Sequence, residues 1–181
     1  MDTAGKPFFL LGDTPWFLQR LPLDDVRRIM DDRRAKGFNT LYLEILDDSR
    51  IPSRDAHSNI AFRPETDITR PVDAYWRYAD TVLNEAARRG FFVFMSDFWY
   101  GAGDGLWIHH VTAEKAKIYG HFLGKRYARF KNLIDPAGAA LAPAHGVLAL
   151  VEARSRCEAR ARDRRIRHAG QGRLRDGRPG S

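Results

Sequence analysis

Three acids, Asp13, Glu44 and Asp97, stand where short apolar runs give out. Asp13 follows Phe8-Phe9-Leu10-Leu11-Gly12, Glu44 lies in Leu41-Tyr42-Leu43-Glu44-Ile45-Leu46, and Asp97 follows Phe91 to Ser96. Carboxyl groups brought together can divide the work of acid–base chemistry. One protonates a leaving atom and the other attacks or activates water, provided their surroundings push the two pKa values apart. Trp16, Trp99 and Trp107 lie close by in sequence. Large amphipathic rings suit a ligand with apolar faces and hydroxyl edges. Each residue also has a plainer role. Asp13 could cap a turn, as Asp commonly does, Glu44 could pair with an arginine, Asp97 could cap the connection after its strand, and each tryptophan could pack its own loop.

Other chemistries find less support. His109 and His110 are adjacent, which is not the spacing that puts two metal ligands on one helix face. Cys157 is the single cysteine. That excludes an internal disulfide and a multi-cysteine metal site, and no partner marks it as a nucleophile. No metal and no cofactor is expected.

The elements that must position these residues follow from periodicity. Phe8–Leu11 is an uninterrupted apolar run before Gly12, the pattern of a strand buried on both faces. Pro22 suits a first helical turn, and Asp24 and Asp25 suit the positive helix start. Leu23, Val26 and Met30 recur at helical spacing, and Gly37 is the stop. Asn39–Leu46 reads as a second strand. From Asp47 to Arg70 no period is visible, so that stretch is expected to be a functional or disordered connection. Pro71 opens a helix with Val72, Tyr75, Ala79, Val82 and Ala86 on one face and Gly90 at its end. Phe91–Met95 is a third strand. Thr112 is a plausible N-cap for a helix striped by Ala116, Tyr119, Leu123 and Tyr127. Lys131–Ile134 approaches a fourth strand. Strands alternating with helices give an α/β fold with a parallel sheet. Asp13 with Trp16, Glu44, and Asp97 with Trp99 are then expected at the C-terminal ends of the strands, the edge where such folds bind ligands.

Composition divides the chain. Of 181 residues, 44% are hydrophobic and the formal net charge is +7. Residues 135–181 carry ten Arg, no Lys, five acids and no Phe, Trp or Tyr. The remainder holds 20 basic and 18 acidic residues, a near-neutral globular composition. No apolar run approaches the roughly 20 residues of a membrane span, so no membrane partner is expected. The first residues show no basic segment leading into an apolar one. The expectation is therefore no secretory signal and a cytoplasmic location.

Specific residues carry a resemblance. Gly5-Lys6-Pro7-Phe8-Phe9-Leu10-Leu11-Gly12-Asp13-Thr14-Pro15-Trp16 and Arg34-Ala35-Lys36-Gly37-Phe38-Asn39 resemble the apiosidase-like glycoside hydrolase domain. So do Ala86-Ala87-Arg88-Arg89-Gly90-Phe91 and Tyr119 to Tyr127. The resemblance spans roughly residues 5–134 and implies about the first three to four units of a (β/α)8 TIM barrel. It also implies a plant-type glycan substrate and carboxylates at strand ends. Asp13, Trp16, Glu44, Asp97 and Trp99 become candidate substrate-binding residues. In the family, Asn-Leu-Ile leads into a fourth strand ending in Gly-Gly-Asp, whose Asp is catalytic. Here Asn132-Leu133-Ile134 is followed by Asp135-Pro136-Ala137-Gly138. No catalytic residue is assigned, and the chain is expected to be an inactive, truncated member.

Ala, Arg, Gly and Pro make up 29 of the 47 residues from 135 to 181. GC-rich codons encode these four, so an out-of-frame or disordered segment is the expectation. Two further functions stay in view: a non-catalytic carbohydrate-binding fragment, and a basic nucleic-acid-binding protein. The second lacks aromatic residues for base stacking and any recognised module. An open arc of a barrel exposes strand edges, so self-association is expected.

Overall fold

The computed structural model describes residues 7–47, 50–96 and 110–134. Asp97, Trp99, Trp107, His109, Asp135, Cys157 and the Arg-rich segment lie outside the described residues.

The described chain alternates strand and helix. β1 (Gly12–Asp13) is followed by a single 3-10 turn, Leu18–Arg20, and α1 (Leu23–Ala35). Then come β2 (Thr40–Glu44), α2 (Asp73–Arg88), β3 (Phe92–Ser96), α3 (Ala113–Tyr127) and β4 (Leu133–Ile134). The strands lie in the order β1-β2-β3-β4 and every pair is parallel. An order that never reverses distinguishes an arc of a barrel from a doubly wound sheet, in which the order changes direction at a switch point.

The helices form where the apolar spacing requires. Val26 and Met30 bury from α1, and Tyr75, Ala79, Val82 and Ala86 from α2. Ala116, Tyr119, Leu123 and Tyr127 bury from α3. Gly37 at φ 86° and Gly90 at φ 70° adopt the left-handed conformation that stops α1 and α2. The Thr112 hydroxyl accepts the Lys115 N–H at 3.3 Å, capping α3.

The first strand departs from its sequence reading. Pairing begins at Gly12, and Phe8–Leu11 are exposed, Phe9 at 79%. These residues precede β1, and the Phe8 ring packs edge-on to the Phe92 ring of β3, with centroids 5.4 Å apart. Asn39 holds their backbone. The Asn39 side chain donates to the Phe9 carbonyl and accepts the Leu11 N–H, at 2.8 and 2.9 Å. Asn132 repeats part of this device before β4, donating to the Phe91 carbonyl at 2.9 Å.

The connection from β2 to α2 has no period because it is a packed plug. Ile60, Ala61, Phe62 and Ile68 are buried within it. The Phe62 ring meets those of Trp76 and Tyr119, and the Trp76 indole N–H donates to the Ala61 carbonyl at 3.0 Å. Ion pairs bind the helices sideways. Glu85 on α2 takes Arg27 of α1, and Arg89 reaches back to Asp31. Arg126 of α3 takes Asp80 and Asp73 of α2. No helix among the described residues is long and apolar enough to cross a membrane.

Candidate glycan-binding rim

Alternation along the strands sorts the side chains. Leu41, Leu43 and Val93 are fully buried among the helices. Thr40, Tyr42 and Glu44 take the other face of β2, and they register with Phe92, Phe94 and Ser96 of β3. Partners in a parallel register point to the same side, so these six side chains line the inner face of the arc. Glu44 and Ser96 end the two rows, at the C-terminal edge.

Trp16 is tied to that edge by its backbone, across a one-residue offset in the ladder's hydrogen bonds. Thr40 N–H donates to the Leu11 carbonyl, and Glu44 N–H donates to the Trp16 carbonyl at 2.8 Å. Four steps along β2 therefore face five along the first segment. The extra residue is absorbed where Trp16 N–H turns back to the Thr14 carbonyl at 3.0 Å, around Pro15, which has no N–H to place. The Trp16 ring stands edge-on to the Tyr42 ring, with centroids 6.1 Å apart.

Asp13 does not join this group. It registers with Leu41, three residues before Glu44 and on the helix-facing side. Its carboxylate accepts from the Arg33 guanidinium of α1. The Arg33 bond holds the Asp13 carboxyl below the usual carboxylate range, burial opposing it. The expected convergence of Asp13 with Glu44 at one end is thus not what the fold delivers. A ladder residue one position out from the inner row must face the helices.

Glu44 is buried, at 1% exposure, and a polar cluster that the sequence did not announce is packed behind it. Gln19, Asp47 and Ser53 are each 1% exposed and Tyr75 is fully buried. Gln19 Nε2 donates to the Ile45 carbonyl at 2.9 Å, and the Tyr75 hydroxyl donates to the same oxygen. Ser53 Oγ lies 3.1 Å from the Tyr75 hydroxyl and accepts the Asp47 N–H at 3.0 Å. Asp47 takes the Arg20 guanidinium at 2.9 Å. Burial pushes the Tyr75 hydroxyl well above its ordinary range, so it stays protonated and donating. Tyr75 sits on the apolar stripe of α2, where its ring counts as core and its hydroxyl gives no separate signal in sequence. Among the described residues no group of three or more His, Cys, Asp or Glu could hold a metal ion.

The arrangement offers a flat ring, a buried carboxyl and a hydroxyl at one strand edge, which is hardware for a hydroxylated ligand. The family model for the apiosidase-like catalytic domain matches residues 1–168. The chain belongs to the apiosidase-like family. Solved structures agree on the fold. A glycoside hydrolase superposes with a TM-score of 0.64 at 24% identity, covering 83% of this chain and 35% of its own. A glycoside hydrolase family 5 protein from Bacteroides vulgatus gives 0.62 at 29% identity, covering 73% of this chain and 29% of its own. This apiosidase-like chain therefore spans about a third of the length of the glycoside hydrolases it matches. Its four parallel strands and alternating helices are a partial TIM barrel. No curated protein matches it.

Proposed function

We propose that this apiosidase-like chain supplies the sugar-facing N-terminal arc of a glycoside hydrolase domain acting on plant-type glycans. The observation that carries the reading is the family match over residues 1–168. The inner row ending at Glu44 and Ser96 beside Trp16 supports it. In this reading Trp16 lies against a sugar face and Glu44 accepts hydroxyl hydrogen bonds, and Asp97 and Trp99, which follow β3 in the sequence, are assigned substrate contact with them. Asp13 acts from behind, holding the turn that delivers Trp16.

Cleavage of a glycosidic bond needs two carboxyl groups flanking it, about 5–10 Å apart. Among the described residues Glu44 and Asp47 are acids near this edge, and Asp47 pairs with Arg20 and Arg50. The Gly-Gly-Asp that carries the family's catalytic carboxyl after Asn-Leu-Ile is replaced here by Asp135-Pro136-Ala137-Gly138, and on that ground the 181-residue polypeptide is read as binding oligosaccharide without turning it over. The test is release of 4-nitrophenol from a 4-nitrophenyl apioside, alongside calorimetric binding of apiose-containing pectic oligosaccharides. Binding without release is the expected outcome. Release by the polypeptide alone overturns the inactive assignment, and absence of binding to any plant oligosaccharide overturns the substrate class.

A further inference from the structure

The Ile45 peptide, next after Glu44, is held on both sides. Its N–H donates to the Ser96 carbonyl at 2.9 Å. Its carbonyl accepts from Gln19 Nε2 and from the Tyr75 hydroxyl. The donors run in one direction. Asp47 N–H gives to Ser53 Oγ. Since the Tyr75 proton goes to Ile45, the 3.1 Å contact assigns the Ser53 proton to Tyr75. The Gln19 amide N–H, the Tyr75 and Ser53 hydroxyls and the Asp47 N–H each have a partner in this network, and a satisfied buried network favours one arrangement.

The three donors come from three different places. Gln19 belongs to the 3-10 turn just beyond Trp16, Ser53 to the β2–α2 connection, and Tyr75 to the first turns of α2. Trp16 and Glu44 are thus fastened twice. One bond joins their backbones directly, and the second runs from Gln19, three residues after Trp16, to Ile45, the residue after Glu44. Tyr75 braces the second bond from the helix layer.

We infer that Tyr75 and Gln19 are positioning residues: together they clamp the Ile45 carbonyl and so set the separation and angle of Trp16 and Glu44 at the rim. Neither touches the inner face. Tyr75 arrives from the helix layer, and Gln19 is spent on a backbone oxygen. This inference rests on the proposed glycan-binding role of Trp16 and Glu44, but its local part stands on geometry alone.

The experiment uses Tyr75→Phe, which keeps the ring and removes the donor, Gln19→Met, and Phe62→Leu as a control in the plug. Amide hydrogen exchange is read at Glu44 and Ile45 and compared with Val93, in the neighbouring strand. Tyr75→Phe and Gln19→Met are expected to speed Glu44 and Ile45 exchange about tenfold relative to Val93. Phe62→Leu is expected to move all three amides together, as general loss of stability does. The same two variants are expected to weaken binding of an apiose-containing pectic oligosaccharide about fivefold, with Phe62→Leu at parental affinity. An unchanged exchange ratio overturns the clamp. A changed ratio with parental affinity overturns its role in positioning the rim. If the parental chain binds no oligosaccharide, the glycan reading fails while the exchange ratio still decides the clamp.

Discussion

Glu44 donates its backbone N–H to the carbonyl of Trp16, at 2.8 Å, one residue later than a regular parallel ladder from Leu11 and Thr40 would allow. Asp13 lies before that extra residue, in regular register with Leu41, and so faces the helices, while the backbone beyond the offset ties Trp16 to the rim. A ladder continued without it would give the Glu44 N–H to the Pro15 carbonyl instead.

The turn is held from below by Asp13 and Arg33, both about one-third exposed. Asp13→Asn is expected to cost about 1 kcal/mol in urea unfolding. The sign with pH follows from the lowered carboxyl. The contribution is present above the ordinary Asp value of 3.8 and is lost as pH falls through the lower folded value. Parent and Asp13→Asn stability curves should therefore converge in acid; a constant gap down to the acid limit would refute the pairing.

Glu85 is the hinge of the helix layer. Its side chain is 4% exposed and meets Arg27, Arg88 and Arg89. Burial raises its pKa, but the bonds from Arg89 and Arg27 outweigh burial and leave it below the ordinary value of 4.5. Glu85→Ala is expected to lower stability by about 2–3 kcal/mol near neutral pH, and by less once pH falls through the folded value. Denaturant melts at neutral pH and in acid check both parts.

Trp76 has no exposed surface and contacts rings from the plug and from α3. Trp76→Ala is expected to cost about 3–5 kcal/mol, enough to unfold a domain of ordinary stability. Near-UV circular dichroism would show the loss; a native-like spectrum with parental melting would contradict the plug as core.

Much of this fold was legible in sequence because its helices have one wet and one dry face. Val26, Met30, Tyr75, Ala79, Tyr119 and Leu123 all bury where a 3.6-residue period puts them. The strand order followed from the alternation. Phe8–Leu11 misled because an apolar run signals burial without saying what supplies it. Asp13 misled because register with the neighbouring strand decides which face a side chain takes, and one strand's composition does not give its register. Gln19, Ser53 and Tyr75 were silent because their roles lie in hydrogen bonds to the backbone of Ile45 and Asp47 and to one another. Glu85 was silent because a buried acid inside an otherwise polar Asn84-Glu85 pair reads as surface.

The exposed run at Phe8–Leu11 lies along an edge where β1 pairs with β2 alone among the described residues. Such an edge recruits further strands. The 181-residue polypeptide is expected to self-associate, and Phe9→Lys with Leu10→Glu to shift it toward monomer. Light scattering after size exclusion checks this, and a parental chain that stays monomeric at high concentration would contradict it.

The central claim is that Trp16 and Glu44 together face a sugar. Saturation-transfer NMR with apiose-containing pectic oligosaccharides tests it most directly, on the parental chain, Trp16→Ala and Glu44→Gln. The account predicts transfer to sugar ring protons in the parent, its loss in Trp16→Ala and its weakening in Glu44→Gln. Transfer that persists unchanged in both variants, or none to any oligosaccharide in the parent, would contradict it.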